Sequence, residues 1–276
     1  MKKIGIIAGG GQFPIIFSKA ATSKGFKVYA IAHINETDAE LDHHVHSIAW
    51  IHPGQLKRII KFFKADGVTE AVMMGSIAKP KLFKTFRPDT KAIALIAGMR
   101  HTHDDGILRG LADFFKKEGI TIEASTTMLP DMLAEKGCWT KRKPTRAEKK
   151  DIAFGWGIAK EIGRLDIGQC VVIGGGSILA VEAIDGTDAA IKRGGMLGDG
   201  TAVIVKVSKP NQDLRFDMPA VGVNTIQVMD SAKAAVLAVE AGKTVVFEKD
   251  EMVELADECG ISIVGIDPEE NKYQTE

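Results

Sequence analysis

The segment KPNQDLRFDMPAVG carries the densest ionic chemistry of the chain. Asp213, Arg215 and Asp217 alternate in it. In extended backbone they would project to one side, about 7 Å apart at each step of two. Two carboxylates flanking a guanidinium suit a site where one acid holds a metal and the arginine neutralises a phosphate. Pro210 and Pro219 bracket the stretch and disfavour a regular central strand, which points to an ordered loop. A surface loop with a local Asp–Arg ion pair is the plainer alternative.

Four other stretches offer polar groups at the ends of elements. IIAGGGQFP runs an apolar strand into Gly9-Gly10-Gly11 and then Gln12-Phe13-Pro14. A dinucleotide fingerprint would need a third small residue where Pro14 stands, and an acid at the end of the next strand, where Ala32-His33 stands. No Gly-Lys-Ser/Thr follows, so a P-loop is excluded as well. What remains is a glycine turn at a helix start, either holding an anion on backbone N–H groups or serving only as a turn. GSIAKP sets Ser76 and Lys79 just past a strand, at the ligand edge of an open α/β sheet. HTHDDGILRG places His101, His103, Asp104 and Asp105 before a helix; the acids suit its first turn, and a histidine metal site is the weaker reading. In VEAIDGTD, Thr187 opens a helix and offers a hydroxyl to a phosphate, or simply caps the helix. LDHHVH, with His43, His44 and His46, reads as a solvated loop.

The elements that must position these residues follow an alternating pattern. KIGIIAG, KVYAIAHI, EAVMMGSI and ITIEAST read as strands. Between them FPIIFSKAATSKG, PGQLKRIIKFFKADG and HDDGILRGLADFFKKEG read as helices. Such a β-α rhythm predicts a mostly parallel, Rossmann-like sheet over residues 1–131. The charged stretch at 132–144 reads as a linker. Thr145 and Glu148 form a capping box that starts a helix near Arg146. QCVVIGGGSILAVEAI then predicts a β-hairpin and TAVIVKVSK a strand. DSAKAAVLAVEAG and EMVELADECG read as helices, and KTVVFEKD and ISIVGID as strands. Residues 145–276 are therefore expected to form a second α/β domain of mixed sheet, carrying the acidic motif.

With 36 basic and 36 acidic residues the chain has no net field to recruit nucleic acid or an anionic membrane by bulk charge. Its three cysteines lack zinc or disulfide spacing, which favours a reducing, cytoplasmic setting. No apolar run reaches a membrane-spanning length.

Taken in order, IIAGGGQFP, GSIAKP, HDDGILRG, LDIGQCVVI, ILAVEAIDGTDAAIKR and KPNQDLRFDMPAVG resemble the LpxI family over nearly the whole chain. The resemblance implies a two-domain UDP-2,3-diacylglucosamine pyrophosphatase of lipid A biosynthesis. Such an enzyme yields UMP and 2,3-diacylglucosamine 1-phosphate with Mg²⁺ or another divalent cation. It implies Asp217 as the essential carboxylate and metal ligand, with Asp213 and Arg215 beside it. Gly10, Gly11, Gln12, Ser76, Lys79, Asp104, Asp105 and Thr187 become candidate substrate contacts. The expected partner is a lipid-linked nucleotide sugar, met in the cytoplasm or peripherally at the inner membrane; a homo-oligomer stays open. An NAD(P)- or nucleotide-sugar-binding enzyme and a non-catalytic nucleotide-binding regulator are the competing readings.

Overall fold

The computed structural model describes residues 2–75, 85–98, 104–124, 126, 130–210, 213–216 and 218–267, with the backbone alone for 104 and 105. The chain divides into two compact units. The first is Met1–Pro130 with Asp213–Asp217, and the second is Asp131–Gln212 with Met218–Glu276.

Unit 1 is built on five parallel strands: β1 (Lys3–Ala8), β2 (Lys27–His33), β3 (Ser47–Ile51), β4 (Glu70–Met74) and β5 (Thr121–Glu123). Their order is β3-β2-β1-β4-β5, with every pairing parallel. β1 and β2 are buried along almost their whole length, as strands covered on both faces must be. Helix α1 (Phe13–Ser23) follows β1, with Pro14 in the first turn, where a missing N–H costs nothing. α2 (Leu56–Ala65) buries Leu56, Ile59, Ile60 and Phe63 at helical spacing and points its lysines outward. α3 (Thr90–Gly98) starts at Asp89, whose carboxylate accepts from the Lys91 and Ala92 N–H groups, each at 3.0 Å. α4 (Asp104–Lys117) precedes β5 and contributes Ala112 and Phe115 to the core. β3 was not foreseen. The expected loop LDHHVH lies mostly in a 3₁₀ turn over Ala39–His44, which buries Leu41 and leads into that strand.

Unit 2 holds a six-stranded mixed sheet in the order β6-β13-β11-β9-β7-β8. These strands are β6 (Gly137–Cys138), β7 (Cys170–Gly174), β8 (Ser177–Val181), β9 (Val203–Lys206), β11 (Val236–Glu240) and β13 (Ser262–Ile266). β9, β11 and β13 run parallel, while β6, β7 and β8 are antiparallel to their neighbours. β10 (Ala220–Val221) and β12 (Val245–Val246) form a separate parallel pair. The capping box of Thr145 and Glu148 opens α5 (Arg146–Arg164) as expected. Asp151 on that helix accepts from the Gly175 and Gly176 N–H groups at 3.0 and 2.8 Å, which fixes the turn of the β7–β8 hairpin. Helices α6 (Thr187–Gly198), α7 (Val223–Ser231) and α8 (Lys249–Glu258) complete the unit.

Two expectations change here. The stretch DSAKAAVLAVEAG holds the end of α7 and then β11, a fully buried central strand. A short continuous apolar run does not separate a buried strand from a buried helix. Residues 132–144, expected as a linker, belong to unit 2. β6 pairs with β13, and Arg142 bonds Ser262, the Ala235 carbonyl and Glu148.

Candidate active site

The strand order of unit 1 reverses between β1 and β4, the position at which open parallel sheets take ligands beyond their carboxyl ends. The loop after β1 and the start of the loop after β4 meet there. The Gly9 N–H donates to the Met74 carbonyl at 2.8 Å. Gly75 has φ +83°, and a Cβ on it would come 2.6 Å from the Gly10 oxygen and 2.9 Å from the Gly9 carbonyl carbon. Only glycine allows this backbone-on-backbone approach. Gly10 and Gly11 then lead to Gln12, the N-cap of α1, whose exposed side chain makes no capping bond. Pro14 carries no N–H, and the Ile15 and Ile16 N–H groups both donate to the Gln12 carbonyl at 3.1 Å. Ser76 and Lys79 lie outside the described residues.

His33, at the carboxyl end of β2, was noted in the sequence only as the residue standing where a ribose acid would be. It is 6% exposed, and its Nδ1 lies 2.8 Å from the Ala8 carbonyl, which also accepts from Thr37 Oγ1 at 2.7 Å. A carbonyl only accepts, so Nδ1 carries a proton, and Nε2 is the acceptor whenever the ring is neutral. Burial holds the imidazole pKa below its ordinary value, against smaller opposing effects of the Ala8 bond and Glu36. His33 and Gly9 border a cavity of about 400 Å³ whose walls are otherwise apolar, among them Ile59, Met73, Leu111 and Phe115.

Phe216 lines the same cavity and packs on the core of unit 1. This explains why Asp213–Asp217 joins unit 1, although the acidic motif was expected with the C-terminal domain. The segment is also not extended. The Phe216 N–H returns to the Asp213 carbonyl at 3.0 Å, and Arg215 folds back onto Asp213 with Nε–Oδ1 at 2.9 Å and Nη2–Oδ2 at 2.7 Å. The expected one-sided row of alternating charges is replaced by a turn closed by a bidentate ion pair. Arg109 of α4 adds a second cation 3.6 Å from Asp213 Oδ2, and the Arg215 guanidinium lies 4.9 Å from the Phe216 ring centroid. Hydrogen bonding from Arg215 holds the Asp213 carboxyl below the usual carboxylate range, and Asp213 in turn raises Arg215. Asp217 lies outside the described residues.

Both oxygens of Asp213 accept from Arg215. Among the described residues no group of three or more His, Cys, Asp or Glu side chains could hold a metal ion. Asp104 and Asp105 stand at the start of α4, as their residue types favour, but only their backbone is described.

In unit 2, Gly186 rather than Thr187 is the N-cap of α6. The Thr187 hydroxyl donates to buried Glu182 at 2.7 Å, and the other Glu182 oxygen accepts from the Gln169 N–H at 3.0 Å. The Thr187 proton is thus committed to Glu182 and not offered to a phosphate. Cys170 is equally unsuited to chemistry, because burial pushes its thiol up to about 12.

The family model described as the LpxI N-terminal domain matches residues 3–132, and that described as the LpxI C-terminal domain matches residues 135–264. The chain belongs to the LpxI family. The UDP-2,3-diacylglucosamine pyrophosphatase LpxI of Caulobacter vibrioides is 32% identical over 282 residues, covering 98% of this chain and 99% of that protein. Two solved structures show partial likeness. N5-carboxyaminoimidazole ribonucleotide synthetase from Thermotoga maritima is 13% identical over 67% of this chain and 42% of its own, with a TM-score of 0.25. The biotin carboxylase domain of Hydrogenobacter thermophilus 2-oxoglutarate carboxylase is 14% identical over 64% of this chain and 35% of its own, at 0.27. Scores this low carry no argument.

In this LpxI-family chain Gly10, Gly11, Gln12, Asp213 and Arg215 all fall within unit 1, while Thr187 falls within unit 2. The residue missed was His33, for which a histidine ending a buried strand at the ligand edge was the available signal. No helix among the described residues is long and apolar enough to cross a membrane.

Proposed function

We propose that this chain hydrolyses the pyrophosphate of UDP-2,3-diacylglucosamine, a lipid A precursor, to UMP and 2,3-diacylglucosamine 1-phosphate. One observation supports the reading above the others: an apolar cavity of about 400 Å³ borders the glycine loop at the sheet's ligand edge. A substrate with a lipid at one end and a pyrophosphate nearby needs that juxtaposition. The glycine turn ahead of α1 would hold a phosphoryl oxygen, and Arg215 with Arg109 would offset charge developing on the phosphorus. Neutral His33 at the cavity wall would accept a hydrogen bond from the sugar or its amide. Asp217, directly after Phe216, is the carboxylate proposed to orient the attacking water. A divalent cation belongs to the same proposal: EDTA should abolish turnover and added Mg²⁺ should restore it. On this reading the protein works in the cytoplasm on a lipid-linked nucleotide sugar, beside the inner membrane.

The test is hydrolysis in ¹⁸O-labelled water, with mass analysis of both products. Label in UMP or in the lipid phosphate identifies the phosphorus attacked. Asp217→Ala should lose turnover and keep substrate binding. Clean nucleotide binding with no UMP released would overturn the proposal in favour of a binding protein.

A further inference from the structure

The rim of the cavity has a surface that the proposed reaction does not use. After Lys91, helix α3 reads Ala92-Ile93-Ala94-Leu95-Ile96-Ala97-Gly98, without a charge. Ile93 is 55% exposed and Ile96 51%, and Ala94 and Ala97 are exposed beside them. Single exposed apolar residues are ordinary, but a whole uncharged helix face is not. Ile96 and the 37% exposed Ile107 of α4 also line the cavity, so they stand where it opens to solvent.

A cationic surface adjoins this face. α2 carries Lys57, Arg58, Lys61 and Lys64, all exposed, and no acid. The Lys57 N–H donates to Asp89, which caps α3, while Lys64 and Lys91 share Glu118. Glu118 offsets Lys64 and Lys91, while Lys57, Arg58 and Lys61 outnumber Asp89 and the α2 C-cap Asp66, so the α2 face keeps a positive excess.

We infer that this face of unit 1 seats the protein on an anionic phospholipid surface. The α3 isoleucines enter the interface and the α2 cations lie against the headgroups. An apolar helix face beside lysines is the chemistry that an anionic bilayer selects. An acyl chain then passes from bilayer to cavity without crossing water, a consequence that rests on the lipid substrate proposed above. A second copy of the chain fits less well, because two such faces would oppose like charges.

The test uses the full chain and co-sedimentation with vesicles of phosphatidylcholine, with or without phosphatidylglycerol. The wild type should partition onto the anionic vesicles and leave them at high salt. Lys57→Glu/Lys61→Glu and Ile93→Glu/Ala97→Glu should each lower partitioning at least about tenfold. Ile184→Glu, at an exposed apolar position in unit 2, should not. All three variants should still hydrolyse substrate dispersed in detergent. Unchanged partitioning of the two unit 1 variants, or a wild type that ignores both vesicles, overturns the inference. So does an Ile93→Glu/Ala97→Glu variant that dissociates an oligomer while still binding vesicles. Absence of hydrolysis in detergent would overturn the pyrophosphatase reading alone, since the vesicle result decides docking separately.

Discussion

Replacing Gly75 by alanine tests the packing of the two loops at the sheet's ligand edge. Its φ of +83° imposes left-handed strain of roughly 1–2 kcal/mol on any residue with a Cβ. The new methyl would also lie 2.6 Å from the Gly10 oxygen, a backbone atom that moves only if the glycine loop moves. Overpacking of that kind adds about 1–3 kcal/mol. The sum, about 3 kcal/mol, is roughly a hundredfold in the unfolding equilibrium. Gly119→Ala is the control: its φ is +82° but nothing lies within 4 Å of its Cβ position, so strain alone acts there. Trp50 is the one tryptophan of unit 1, so urea unfolding followed by its fluorescence, with Trp139 and Trp156 changed to Phe, reports on that unit. Steady-state kinetics on the same variants should show KM for the lipid-linked nucleotide raised severalfold by Gly75→Ala and unchanged by Gly119→Ala. Equal destabilisation in the two variants, with equal KM, would refute the packing described for Gly9, Gly10 and Gly75.

Other outcomes follow from the same geometry. Arg215→Ala should lower kcat/KM between about tenfold and about a hundredfold, the scale of hydrogen bonds to charged groups. Arg215→Lys should recover only part, because one ammonium cannot hold both Asp213 oxygens as the guanidinium does. For His33 the folded pKa is lowered, so the unfolded chain takes up its proton first on acidification. Stability should hold above about pH 6.5, the ordinary imidazole value, and fall as the pH drops below it. His33→Asn, which keeps a donor for the Ala8 carbonyl, should flatten that fall in urea midpoints measured across the acidic range. If acyl chains fill the cavity, KM should rise at most about fourfold for each methylene removed from them, from about 0.8 kcal/mol per methylene. Ala92→Phe, at a cavity-lining position, should abolish that preference and spare short-chain substrates.

Periodicity made much of the fold legible, because burial on both faces or one face leaves its own signature. KIGIIA and KVYAIAH read as strands for that reason, and LKRIIKFFKA as a helix. β11 was misread because Val236-Leu237-Ala238-Val239 is a continuous apolar run, and neither repeat distinguishes itself when every side chain is buried. β3 was missed for the opposite reason: at the sheet edge its residues are half-buried and its pattern is faint. The glycine loop could be read from its residue types, since glycine and proline restrict the backbone locally. The shape of the acidic segment could not. Its turn depends on Phe216 finding the core of unit 1, a contact between residues distant in sequence. The same limit hid His33, whose pKa is lowered by burial and whose ring is oriented by the carbonyl of Ala8.

The wall that Phe216 gives the cavity has a consequence for biosynthesis. Unit 1 is not contiguous: after Pro130 its remaining residues are Asp213–Asp217, and everything between belongs to unit 2. As the chain leaves the ribosome, the five-stranded sheet can assemble early, while its cavity still lacks an aromatic ring and Arg109 still lacks Asp213. Completion waits until most of unit 2 has been synthesised, so the last step in building the first unit comes late in translation. A nascent or truncated N-terminal unit would thus expose apolar surface that the finished protein covers with a segment from much later in its own sequence.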